Sequence, residues 1–257
     1  TTEIYTLSLH DALPIFGSML IDRGMTQGQS GEMWNIEKPE ILLEVHRLYA
    51  EAGADVITAN TFGGTRMKLS KAGLGDCCEE INRKGVELAR KAAGGRWVAG
   101  DIGPTGEMMA PLGICTRDEY VDTFREQAGY LAAAGVDVFA IETMYDLTEA
   151  IAAVEACRLA ADIPIIATLT YSKGSGGYYT MMGNSAEQAS RELVKAGAWA
   201  VGANCTLGSE DMIGLAKVIR NTVSCPVLIQ ANAGAPEVSP DGVRYPESPE
   251  PFANNAK

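Results

Sequence analysis

The stretch AGAWAVGANCTLG (196–208) decides the architecture. A helical pattern runs out at Ala196-Gly197, a short apolar run follows, and the run ends in polar residues at Asn204-Cys205. The same phrase occurs earlier as AGADVITANTFG (52–63) and AGVDVFAIETM (134–144). Glycine at the junction suits a left-handed helix cap. The Val/Ile/Ala-rich run, apolar without clean alternation, suits a parallel strand covered on both faces. Three further runs fit that role: WVAGDIGPTG (97–106), PIIATLTYS (164–172) and PVLIQANAG (226–234). Between them lie amphipathic patterns. Ile41, Leu42, Val45, Leu48 and Tyr49 fall on one helical face within 39–52, and 79–93, 118–134, 146–161, 185–196 and 209–221 behave similarly. Asp146 and Ser185 are placed to cap two of these helices, and Asp76 with Glu79 a third.

Regular alternation of strand and helix from about residue 39 to 234 predicts a βα array of the α/β class. A closed barrel and an open doubly wound sheet both satisfy it. The chain has no GxGxxG first turn and no P-loop, which counts against a nucleotide-binding open sheet. Asn60-Thr61, Asp101, Glu142-Thr143, Asn204-Cys205 and Asn232 all fall at the carboxyl ends of different strands. In a barrel those ends converge on one mouth, where catalytic groups sit. Any one of them alone reads equally well as a turn or capping residue. Together they favour a (β/α)8 TIM barrel.

Composition narrows the function. Twenty-one Lys+Arg against 33 Asp+Glu give a net charge of −12 over 257 residues. Such a surface repels nucleic acid and anionic lipid. No run of about 18 apolar residues and no basic-then-apolar leader is present, so the expected setting is cytoplasmic, without membrane partners. Six cysteines are too few and too scattered for a disulfide scaffold, which leaves thiolate or metal chemistry open to them.

GSMLIDRGM (17–25), EMWNIEKPE (32–40), HRLYAEAGADVITANTFGGTRMKL (46–69), GDIGPTG (100–106), IETM (141–144), GANC (202–205) and QANAG (230–234) together resemble the homocysteine S-methyltransferase family, nearest the homocysteine-binding module of cobalamin-dependent methionine synthase. The resemblance covers residues 17–257 and implies a barrel that holds Zn2+ through three cysteines at its mouth. Cys205 takes the first ligand position. The family's other two, in a Gly-Gly-Cys-Cys turn after the last strand, have no match before Lys257, so the expectation is an incomplete barrel lacking its last strand and helix. The first strand is expected to be damaged as well, since GSML matches only the end of the family's Asp-Gly-x-Met-Gly turn. Residues 1–16 match nothing in the family, and TLSLHDALPI resembles translated adapter sequence. Residues 1–16, with His10 and Asp11, are therefore set apart as a non-native segment.

The resemblance also implies roles. Glu142 receives the α-amino group of homocysteine, and its other reading is a carboxylate capping the helix that follows. Asn232 stands beside the zinc, or is a turn residue. From their strand-end positions, Asn60, Thr61 and Asp101 read as lining the substrate's side of the mouth or, equally, as turn and capping residues. Users of methylcobalamin, S-methylmethionine and betaine share this barrel; the wording of 17–69 is nearest the first, which implies methylcobalamin bound by another domain, with folate and cobalamin domains as partners in a longer parent chain. Two rival readings stand beside this one. A barrel lyase or aldolase with a carboxylate-held divalent ion would want a catalytic lysine or an Asp/Glu/His cluster at the strand ends, and no predicted strand ends in lysine or histidine. An inactive fragment without a complete zinc site is the other. Elsewhere, Cys77-Cys78 reads as a helix start, His46 as an ordinary helix residue, SKGSGGYY (172–179) as a flexible loop over the mouth, and Met108-Met109 and Met181-Met182 as packing residues.

Overall fold

The computed structural model describes residues 13–26, 28–234, 237–239 and 242–256. His10 and Asp11 lie outside the described residues. The strands are β1 (Val56–Thr58), β2 (Trp97–Ile102), β3 (Val138–Met144), β4 (Ile165–Leu169), β5 (Ser172–Gly174), β6 (Gly177–Tyr179), β7 (Ala200–Gly208), β8 (Val227–Asn232), β9 (Glu237–Ser239) and β10 (Gly242–Arg244). The helices are α1 (Leu13–Asp22), α2 (Trp34–Glu37), α3 (Pro39–Glu51), α4 (Arg66–Lys71), α5 (Cys78–Ala93), α6 (Arg117–Ala133), α7 (Leu147–Ala160), α8 (Ala186–Ala196), α9 (Ser209–Thr222) and α10 (Pro249–Asn255). β1, β2, β3, β4, β7 and β8 form one curled parallel sheet in that order, while β5–β6 and β9–β10 are antiparallel hairpins. Helices cover its outer face. This is an incomplete (β/α)8 barrel, and every predicted parallel strand is in it.

The repeated Ala-Gly phrase folds as its chemistry dictates. Gly53, Gly135 and Gly197 end helices at φ of 99°, 86° and 114°, a backbone that side chains oppose. Thr116 closes a full capping box on α6, and Asp146 and Ser185 cap α7 and α8 as expected. Asp76 does not cap α5. It sits in a 3-10 turn, Gly75–Cys77, and the helix opens after Cys77 with no side-chain cap. Residues 172–179 form the β5–β6 hairpin rather than a loop, turning through Ser175-Gly176 with Gly177 at φ 135° opening the return strand. Leu13–Asp22 is helix α1 where the family has a first strand, and its Leu20 is buried in the core. Met108 and Met181 are exposed rather than packed. His46 is fully buried on α3, and burial pulls its imidazole down to about 4.

Inward-facing residues stack in layers. Val56, Ala99, Val138, Ala140, Ile166, Ala200 and Leu228 make a separate apolar cluster inside the curl. One step of two residues toward the carboxyl ends, the same face carries Asp101, Glu142 and Thr168, with Asn204 one step further on. The barrel interior therefore changes from oil to polar groups at one level, and that level is the floor of the mouth.

Candidate active site

The mouth is built from two differently constructed halves. On the β1–β2 side, buried amides are spent on backbone. Asn60 donates to the Gly31 carbonyl at 2.8 Å and to Asn35 Oδ1 at 2.9 Å, while Asn35 donates to the Asn60 carbonyl at 2.7 Å. Thr61 Oγ1 donates to the Asp101 carbonyl at 2.9 Å and accepts from its N–H at 3.0 Å. Gln127 donates to the carbonyls of Thr61 and Asp101 at 2.8 and 3.3 Å. Asp101 itself is wholly buried, and neither carboxylate oxygen has a partner in hydrogen-bond geometry. Burial first, then Glu142 and Glu32, hold its carboxyl well above the usual range. Lys68 and the Ile102 N–H pull weakly the other way. Asp101 is thus biased to carry a proton until a cation arrives.

On the β3–β7 side the backbone itself is strained. Thr143, Cys205 and Thr206 are the non-glycine residues with positive φ among those described, at 59°, 60° and 64°. Left-handed threonines and cysteine cost free energy, and such residues gather at functional sites. The geometric result is plain. In an extended strand Asn204 and Cys205 would point to opposite faces; here Asn204 Nδ2 lies 3.5 Å from Cys205 Sγ, and Thr143 Oγ1 lies 3.8 Å from the same sulfur. The β3–β4 and β7–β8 registers both shift at these positions. Burial pushes the Cys205 thiol up to about 12, helped by Glu142 and then Asp101, against a hydrogen bond with Thr143. By itself the sulfur is a protonated thiol at neutral pH.

Glu142 is buried at the end of β3, and its charge reaches both Asp101 and Cys205. Asn232 ends β8, next to β7, and its Oδ1 is buried without a hydrogen-bond partner. The structure therefore brings Asp101, Glu142 and Cys205 within reach of one another, with Asn232 at the end of the neighbouring β8 and Thr61 bracing the Asp101 backbone. Three contributors were not singled out from the sequence. Thr168 on β4 is one, and two-residue alternation along PIIATLTYS carries its signal. Glu32 and Tyr245 are the others: the Glu32 charge is felt at Asp101, and that of Cys205 at the Tyr245 hydroxyl. They reach the mouth from loops, where no periodicity marks them.

A zinc–thiolate centre asks for several donors around one ion. Among the described residues no group of three or more His, Cys, Asp or Glu is placed to hold a metal. Cys205 and the free Asn232 Oδ1 suit one sulfur and one oxygen position, and the remaining donors are not among the described residues. Cys77, Cys78, Cys115, Cys157 and Cys225 are also free thiols. Among the described residues no helix is long and apolar enough to cross a membrane.

Comparison with known proteins gives the family of the chain. The homocysteine S-methyltransferase family model matches residues 15–257. Methionine synthase of Mycobacterium tuberculosis is 29% identical over 234 residues, covering 86% of this chain and 19% of that protein. The methionine synthase of Mycobacterium leprae is 28% identical over 255 residues, covering 92% and 21%. The chain thus spans about a fifth of the length of these relatives. Among solved structures, the homocysteine methyltransferase MmuM from Escherichia coli in its metallated form superimposes with a TM-score of 0.72 at 22% identity, over 85% of this chain and 81% of that one. That likeness is one of fold.

Proposed function

Because the chain belongs to the homocysteine S-methyltransferase family, we propose that residues 17–257 are the homocysteine-binding barrel of an enzyme that methylates the homocysteine thiol to give methionine. The observation that carries this reading is the β3–β7 strand end, where strained backbone presents the Cys205 sulfur beside Glu142 at a polar mouth. On this reading Cys205 is one arm of a Zn2+ site, Asn232 is its oxygen neighbour, and two further cysteines come from outside this chain. When bound, the ion would supply the charge that makes a coordinated thiol ionise near neutral pH.

The acids of the mouth choose the substrate. Asp101, Glu142 and Glu32 oppose one another, with Lys68 the cation that offsets Asp101. An α-ammonium group entering between Glu142 and Asp101 relieves that repulsion, which an uncharged thiol cannot do. Asn60 and Thr61 line this side, and Thr61 holds the Asp101 backbone in place. The methyl donor we favour is methylcobalamin, carried with folate by other domains of a longer cytoplasmic protein; the likeness to methionine synthases, and the share of their length that the chain spans, support it.

The test uses the chain continued through its own downstream reading frame. Zinc content and homocysteine binding are measured for the parent, Cys205→Ala and Glu142→Gln. Expected are stoichiometric zinc in the parent, loss of zinc in Cys205→Ala, and in Glu142→Gln retained zinc with homocysteine binding weakened by about tenfold or more. Undiminished zinc and binding in Cys205→Ala would overturn the reading.

A further inference from the structure

We propose that Asn204 is the positioning residue of the Cys205 sulfur: one buried side-chain amide locks the ends of β3 and β7 together and thereby turns the thiol into the mouth. The inference rests on the reading of Cys205 as the reactive-site sulfur and goes beyond it, since Asn204 touches neither substrate nor metal in that reading.

Asn204 is completely buried. Its Oδ1 accepts from the Thr143 N–H at 2.9 Å and from Thr168 Oγ1 at 2.8 Å. Its Nδ2 donates to Thr143 Oγ1 at 2.8 Å and faces Cys205 Sγ at 3.5 Å. A backbone N–H can only donate, so the Thr143 contact fixes which end of the amide is oxygen and hence that the NH2 faces the sulfur. Both lone-pair directions and both N–H bonds are in use. Three strands, β3, β4 and β7, meet on this one group, and the residues it joins are the strained ones, Thr143 and Cys205. A strained backbone persists only where its surroundings over-determine it. Removing the amide removes that constraint, and the sulfur is then free to turn into the space vacated beside Thr168.

The experiment reads the direction of the sulfur without metal or activity. The chain is labelled at fixed pH with methyl methanethiosulfonate, and Cys205 modification is followed by peptide mass spectrometry against Cys225 of the same chain, alongside thermal unfolding. In Asn204→Ala, labelling of Cys205 relative to Cys225 is expected to fall by about tenfold as the strained backbone is released. Asn204→Ser removes the amide without adding charge beside the sulfur, so it serves if the alanine variant does not fold, and a fall of several-fold is expected. Thr168→Val weakens the same cluster without touching Thr143 or the sulfur, and its labelling is expected to stay within about twofold of the parent. Parent-like labelling in both Asn204 variants overturns the proposal. So does an equal fall in Thr168→Val, which would reduce Asn204 to general support. Failure of the zinc or homocysteine test would leave these labelling ratios unaffected, so the two readings fail separately.

Discussion

The two sides of the mouth use the same residue types for different ends. At β1–β2, Asn60, Thr61 and Gln127 tie backbone to backbone, and β1 and β2 themselves keep ordinary extended conformation. At β3–β7, Asn204 ties Thr143, Thr168 and the Cys205 sulfur together, and the backbone beneath it is left-handed at residues that resist it. A buried asparagine at a strand end is therefore not informative in itself. What separates brace from site is where its hydrogen bonds go and whether the chain has been strained to send them there. Asp101 belongs to neither pattern: its backbone is braced, while its carboxylate is left over.

Glycine substitutions break this comparison hardest. At Gly202 on β7 an added Cβ would collide with the Leu228 carbonyl of β8, and backbone on both sides leaves nothing to yield. Gly202→Ala is expected to cost about 3 kcal/mol or more and to yield little folded protein. Gly85 on α5 is also tight, but its Cβ would meet Thr61 Cγ2 at 2.7 Å and Asn35 Nδ2 at 2.8 Å, side chains that can shift. Gly85→Ala is expected to fold with a loss of about 1–3 kcal/mol. Urea unfolding of the two variants settles the ranking; equal losses would mean that the β7–β8 approach is no stiffer than the brace.

A milder probe separates bracing from chemistry. Gln127→Ala removes the amide that spans Thr61 and Asp101 and leaves a small cavity, at a cost of about 2 kcal/mol in unfolding free energy. The Cys205 to Cys225 labelling ratio should not move. A large change in that ratio would mean that the two halves are mechanically coupled and that the distinction drawn between them is false.

Most of the fold was legible because it rests on local chemistry repeated along the chain. Each Ala-Gly junction needs a left-handed cap, and each apolar run needs cover on both faces, so the six parallel strands could be read from AGADVITANTFG, AGVDVFAIETM, AGAWAVGANCTLG and their relatives. The strand ends were legible as polar, and Glu142 and Cys205 stand where that reading put them. What could not be read was the division of labour among them. Whether Asn60 spends its amide on Gly31 or offers it to the mouth depends on a contact 29 residues away in sequence. The left-handed turn at Cys205 follows Asn204, whose partners Thr143 and Thr168 come from other strands, and CTLG by itself carries no glycine or asparagine at the positions that bend. Residues 172–179 fold back as a hairpin for a reason the composition did contain, the Gly176-Gly177 pair, but glycine-rich sequence fits a loop equally well.

The leftover carboxylate of Asp101 gives the smallest effect and the most specific one. Its folded pKa is raised, so the native state keeps the proton to a higher pH than the unfolded chain does, and that contribution is complete only below the ordinary carboxylate range near 3.8. As pH climbs above that range the unfolded chain releases its proton while native Asp101 resists, under pressure from burial, Glu142 and Glu32. The wild-type chain should therefore lose stability from this group as pH rises. Asp101→Asn has nothing to ionise and can leave its amide in the same volume. Its melting temperature should exceed the parent's by a few degrees at pH 8, and the gap should close toward pH 4, where both carry a neutral group. The neighbouring Lys68 works in the opposite direction and should make the gap larger still when it is replaced by Met in the parent background. A constant gap across this range would mean that Asn helps by packing rather than by charge. A gap that widens toward acid would mean that Asp101 is held as a stabilised anion, and with that the account of a mouth awaiting a cation would have to be abandoned.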